Sequence, residues 1–186
     1  MTETPYRQLR VLSLDPHPRG FGYAVFEGPL RLVDWGTKDV RKDKEQVALH
    51  KIEELVRVYR PAVIVVEDCG HGNSRRNPRV RLLTERILVA AHQFGVEGRA
   101  LPRAAVYRAF AETGAGTKYG IATALVRAFP ELVVRLPPKR KPWQSEDSRM
   151  SIFGAVALGL AYFRKLRWAG TARSPEANSR KAPQHA

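Results

Sequence analysis

Apolar and polar positions run along the chain in blocks that predict a mixture of strands and helices. Residues 9–14, 22–27 and 30–36 read as three strands. Glu27-Gly28-Pro29 makes a turn between the last two, which predicts an antiparallel hairpin. From Asp43 to Tyr59 the residues Val47, Leu49, Ile52, Leu55, Val56 and Tyr59 recur at helical spacing, and Pro61 stops the helix. Residues 62–66 are a continuous apolar run, mostly β-branched, as expected of a central parallel strand covered on both faces. A second helix is predicted over 80–94, a short strand near 96–101, and a third helix over 119–129 closed by Pro130. Residues 104–110 fit more than one element. Ser145 is the expected N-cap of a long helix reaching about Trp168.

This order predicts an α/β fold with a mixed β-sheet flanked by helices. Residues 1–8 form a polar lead-in, 9–169 the domain, and 170–186 a basic tail too poor in apolar residues to bury much, expected to be disordered. The first strand and the 62–66 strand are expected to be parallel neighbours. Their carboxyl ends then bring Asp15 and Glu67 together, where open α/β sheets place their sites.

Charge narrows the choice of partner. In 186 residues, Lys plus Arg is 32 against 18 for Asp plus Glu, a formal charge of +14. An excess of this size points to a polyanion, and nucleic acid is the expected partner. No apolar run approaches the ~20 residues of a spanning helix, and no signal peptide is visible, so a cytoplasmic protein without membrane contact is expected. Cys69 is the only cysteine, which excludes intramolecular disulfides and cysteine-rich zinc sites.

Asp15 is the most informative residue. An acid at the end of an apolar strand is out of place in a core, and Gly20 and Gly22 permit a tight return into the next strand. A carboxylate held there suits a divalent metal ion, and in a basic protein a metal-bound carboxylate points to phosphodiester chemistry. A turn-forming aspartate before Pro16 is the structural alternative. For Glu67 the alternative is a solvated acid at a strand end.

Three segments carry a resemblance. Asp15-Pro16-His17-Pro18-Arg19-Gly20-Phe21-Gly22-Tyr23 resembles the first motif of RuvC-type Holliday junction resolvases. VIVVEDCG resembles the second, a strand ending in a catalytic glutamate, here Glu67. SEDSRMSIFGAVALGLAYF resembles the last, an acid-bearing helix rich in Ala and Leu. The resemblance covers about Val11 to Phe163, with the motifs in order. It implies an RNase H-like fold and Mg²⁺-dependent (or Mn²⁺-dependent) endonuclease activity on branched DNA, in recombination and repair. It also implies that Asp15 bridges the metals and Glu67 binds one. In the last motif the family carries an aspartate where this chain has Gly154. Asp147 and Glu146 are the nearest acids, and Asp147 is expected on one helix face with Ser151 and Gly154. Asp147, with Glu146 beside it, is the expected remaining metal ligand. The alternative is that both acids complement the helix dipole.

Lys118 follows Gly114-Ala115-Gly116-Thr117 and resembles the family lysine that contacts the scissile phosphate. The Gly-rich loop is too short for a nucleotide loop, which excludes an ATPase reading. Arg75, Arg76, Arg79 and Arg81 follow the Glu67 loop, and Lys139, Arg140, Lys141 and Trp143 precede the last helix. Both basic segments are expected to line a nucleic-acid backbone groove, because the acids alone would repel phosphate. Tyr119 and Trp143 are candidates for stacking on unpaired bases, or simply pack at the domain edge. His17, His71 and His92 lack metal-ligand spacing, and His71 is a candidate proton shuttle. The last helix holds more apolar residues than one face needs, which fits sheet packing and also a homodimer contact. Two rivals stay open: a nucleic-acid-binding module with a degenerate site, marked by Gly154, and an RNA-processing nuclease of the same fold.

Overall fold

The computed structural model describes residue 6 and residues 8–41, 43–69 and 76–171. Five strands form one sheet in the order β3-β2-β1-β4-β5. They are β1 (Arg10–His17), β2 (Gly20–Glu27), β3 (Leu32–Asp39), β4 (Val63–Glu67) and β5 (Glu97–Leu101). β1, β2 and β3 pair antiparallel, whereas β1–β4 and β4–β5 pair parallel. Helices α1 (Lys44–Tyr59), α2 (Pro78–Gln93), α3 (Arg103–Ala109), α4 (Lys118–Ala128) and α5 (Met150–Thr171) cover the two faces. This is the mixed sheet flanked by helices expected of an RNase H-like chain. Among the described residues no helix is long and apolar enough to cross a membrane.

Alternation along the strands sorts the core into two layers. Leu12, Leu14, Ile64 and Val66 face α1 and α2, packing on Ile52, Leu55, Leu83 and Ile87. Val11, Val63 and Val65 face the opposite layer, with Phe26, Leu125, Phe153, Val156 and Phe163. β4, lying between β1 and β5, buries side chains on both faces, as its unbroken apolar run predicts.

Several boundaries differ from the sequence expectation, each for a local reason. β1 continues three residues past Leu14, because β2 pairs with it up to His17↔Gly20. Asp15 therefore lies inside a strand, opposite Gly22, and is 3% exposed. β3 starts at Leu32, not Leu30, since Leu30 sits exposed in the turn that follows Gly28. α2 starts two residues early, where the Asn77 side chain accepts the Arg79 backbone N–H (2.9 Å) and Pro78 occupies the first turn. Residues 104–110 are largely helical, within α3. Lys118 opens α4, whose N-cap is Thr117 through Gly120 N–H (3.0 Å).

The largest correction concerns the last helix. Ser145 does not cap it; α5 begins at Met150. Residues 139–149 close on themselves instead. Gln144 accepts the Lys141 N–H through Oε1 (3.0 Å) and the Arg140 guanidinium through its carbonyl (2.8 Å). Asp147 thus precedes the helix and does not share a helical face with Ser151 and Gly154. The apolar surplus of α5 has a plain account, since the sheet covers one side and α3 and α4 another.

α5 lies unusually close to the sheet. A Cβ at Gly22 would come within 2.2 Å of the Ser151 carbonyl group, and one at Gly159 within 2.4 Å of the Phe26 ring. On the far edge, Tyr23 and Tyr59 both donate to Asp34 Oδ2 (3.0 and 2.6 Å), tying β2, β3 and α1 together. Burial beside the Asp34 carboxylate raises the Tyr23 pKa, and the Asp34 hydrogen bond pushes Tyr59 up to about 12.

Two outcomes follow from this packing. Gly22→Ala meets fixed backbone on α5 and is expected to lower stability by roughly 1–3 kcal/mol, read as a lower urea midpoint at unchanged slope. The folded-state tyrosine pKa values lie above the unfolded value of 10.0, so their stabilisation is complete below pH 10.0 and is lost as pH rises through about 12. Urea unfolding across that window is expected to show falling stability, with a shallower fall in Tyr59→Phe.

Candidate nucleic-acid cleft and its acid pair

The register that pairs Leu14 with Val66 brings Asp15 and Glu67 to neighbouring positions on adjacent parallel strands. Alternation points both side chains to the α5 face, as it does Ser13 and Val65. They open into a cleft of about 240 Å³, lined also by Arg76, Arg103, Tyr107, Lys118, Glu146 and Gly154. The convergence expected from sequence is present, at the carboxyl ends of the parallel strands.

The cation between the acids is an arginine. Arg76 Nη2 donates to Asp15 Oδ1 (2.9 Å) and also to Glu67 Oε2, while Nη1 donates to the Pro16 carbonyl (3.2 Å). Burial works against the guanidinium charge, but the two carboxylates outweigh it and raise the Arg76 pKa above its ordinary value. Asn77 and Pro78 start α2 immediately afterwards and fix the backbone from which Arg76 reaches back.

Gly154 lies directly under Asp15. A Cβ there would fall 2.0 Å from Asp15 Oδ2 and 2.7 Å from its Cγ. The glycine is therefore a close-packing requirement for the present Asp15 rotamer, and it also leaves the helix without an acid at this point.

The remaining candidates divide. Glu146 reaches the cleft, where Lys118 Nζ meets its Oε2 at 2.9 Å. Asp147 does not line this cleft; Arg149 grips both its oxygens (Nη2–Oδ2 2.7 Å), and that hydrogen bonding holds its carboxyl below the usual range. Asp147 borders an adjoining groove, which Glu146 also lines, with Arg19, Arg140 and Ser148. Lys139, Arg140 and Lys141 are exposed on that side, and Lys141 Nζ lies 5.5 Å from the exposed Trp143 ring. Arg79 lines a pocket between α1 and α2 with His17 and Lys44, away from the acid pair. Arg75 and His71 lie outside the described residues, as does the tail beyond residue 171.

Arg103 and Tyr107 were not among the residues expected from sequence. They stand one turn apart on α3, with the guanidinium 5.7 Å from the Tyr107 ring centre, and both line the cleft. The only signal for them was an arginine and a tyrosine at i, i+4 spacing in a segment whose element type was unsettled.

The donor set does not fit a divalent ion as arranged. Mg²⁺ needs near-octahedral oxygen ligands at 2.0–2.1 Å. Here an arginine nitrogen bridges the two acids, position 154, where the resemblance leads one to expect an acid, is glycine, and Glu146 is paired to Lys118. Among the described residues no three His, Cys, Asp or Glu side chains form a metal-holding group.

Solved structures share this fold. A Thermus thermophilus RuvC structure aligns with a TM-score of 0.60 at 20% identity, covering 86% of this chain and 96% of that one. T. thermophilus RuvC in complex with a Holliday junction substrate aligns at 0.59 and 18%, with the same coverage. The yeast mitochondrial Holliday junction resolvase Ydc2 aligns at 0.63 and 12%, covering 92% of this chain and 84% of that one. The chain therefore has a RuvC-like, RNase H-like fold. No protein-family model and no curated protein matches the sequence.

The contact between Gly154 and Asp15 is testable by a double-mutant cycle. Gly154→Ala is expected to cost roughly 1–3 kcal/mol in urea unfolding. In an Asp15→Ala background the same substitution is expected to cost at least ~0.5 kcal/mol less, because its clash partner is gone.

Proposed function

We propose that this chain binds branched DNA across the cleft at the ends of β1 and β4, and that in its arginine-closed form it binds without cutting. The observation that carries this reading is the pairing of Asp15 and Glu67 through Arg76, on a fold shared with a RuvC that was solved on a Holliday junction substrate. The charge of +14 and the exposed run Lys139-Arg140-Lys141 supply the attraction for a phosphate backbone. Arg103 and Tyr107 offer a guanidinium and an aromatic face at the cleft wall, suited to phosphate and to an unstacked base.

A specific observation favours a second reading, a metal-dependent endonuclease. Glu146 faces the same cleft as Asp15 and Glu67, and each cation opposite these acids is a natural phosphate ligand. Phosphate that draws Arg76 and Lys118 away would leave three carboxylates facing one another. On that reading Lys118 contacts the phosphate, and RNA is an alternative substrate.

Binding of a four-way junction, a linear duplex and a structured RNA at several salt concentrations tests the first reading. The junction is expected to bind tightest. Replacing Lys139, Arg140 and Lys141 by alanine is expected to weaken all nucleic acids alike and to lower the salt slope by about 1 per lost phosphate contact. Equal affinity for duplex and junction would overturn the proposal. Cleavage of the junction in Mg²⁺ or Mn²⁺ by the wild type, abolished in Asp15→Asn, would establish the second reading instead.

A further inference from the structure

Among the described residues the charges that line the cleft balance. Three carboxylates, Asp15, Glu67 and Glu146, face three cations, Arg76, Arg103 and Lys118. Two of the acids share one guanidinium nitrogen, and the third is paired to the lysine. Buried carboxylates that are both to stay ionised need a cation between them, and in a phosphodiester cleft that cation also lets phosphate approach. Arg76 meets both needs here. It is three-quarters buried, makes directed bonds to both acids and to the Pro16 carbonyl, and is placed by the start of α2. Gly154 belongs to the same arrangement. With Asp15 turned against α5 to meet Arg76, an acid at 154 has no room for its Cβ. The arginine-paired rotamer of Asp15 and an acid at position 154 therefore exclude each other.

We propose that Arg76 is the resident counter-cation of the Asp15–Glu67 pair, so that the cleft takes up branched DNA without a divalent ion. The proposal rests on the binding reading for its DNA half and on the geometry alone for its protein half.

Two measurements on the full chain test it separately. In the first, thermal unfolding midpoints are read with EDTA, Mg²⁺ or Mn²⁺ at matched ionic strength. The wild type is expected to be indifferent to the ion. Arg76→Ala is expected to melt lower in EDTA and to recover part of the loss with Mn²⁺ or Mg²⁺, which enter between the uncovered acids. Arg76→Lys keeps a cation in place and serves if the alanine variant does not fold; it is expected to be as indifferent to the ion as the wild type. A wild-type midpoint that rises with Mg²⁺ or Mn²⁺ and falls back with EDTA overturns the proposal, as does an ion response in Arg76→Lys equal to that of a folded Arg76→Ala.

In the second, binding of a splayed-arm DNA fork is measured with EDTA and with Mg²⁺ at the same ionic strength. Equal affinity is expected for the wild type. For Arg76→Ala, or Arg76→Met if alanine does not fold, binding about tenfold weaker in EDTA and partly restored by Mg²⁺ is expected. Wild-type binding that requires Mg²⁺ overturns the proposal. Absence of fork binding under both conditions sinks the DNA half together with the binding reading, while the melting data still decide whether Arg76 is the counter-cation.

Discussion

Asp15 and Glu67 stand on adjacent strands with their carboxylates turned to the same face, and the Arg76 guanidinium donates to both. Much else in the structure can be read from this contact. Two like charges on side chains 4% and 13% exposed would each lose several kcal/mol of hydration without a partner. A planar guanidinium suits the task better than an ammonium, because it holds several donors in a fixed fork. The contact spans 61 residues of sequence and ties the first strand to the start of α2. It thus links the sheet to the start of α2 at the edge where the cleft opens.

The same constraint reaches α5. The helix approaches the sheet closely because glycines stand at the contacts: Gly22 under Ser151, Gly154 under Asp15 and Gly159 under Phe26. A mid-helix glycine costs ~1 kcal/mol relative to alanine. Close burial of Val156, Phe153 and Phe163 against the sheet and α4 offsets that cost. The glycine at 154 is therefore a matter of packing. Placing a carboxylate there means moving Asp15 first.

The cleft follows as a chemical consequence. Among the described residues its walls carry as many cations as acids, within a strongly basic molecule. Arg103 and Tyr107 on α3 add a guanidinium and an aromatic ring to that wall.

Much of this was legible in the residues themselves. The unbroken apolar run of β4, the hairpin turn at Gly28 and the helical spacing of α1 are local signals, and each element formed where its pattern lay. The meeting of Asp15 and Glu67 also follows from sequence, because parallel neighbours align their carboxyl ends. Gly154, at the place where the resemblance leads one to expect an acid, needed only the motif order. Three things were beyond reach of local pattern. The path of residues 139–149, with its internal hydrogen bonds, delayed α5 to Met150, left Asp147 on Arg149 and turned Glu146 into the cleft. The side of the molecule on which each arginine falls was decided by the start of α2, which sends Arg76 to the acids and Arg79 to the pocket between α1 and α2. The identity of the cation between the acids was decided last of all. Periodicity and propensity report on neighbours along the chain, whereas a buried charge takes whichever partner three-dimensional packing sets within hydrogen-bond reach.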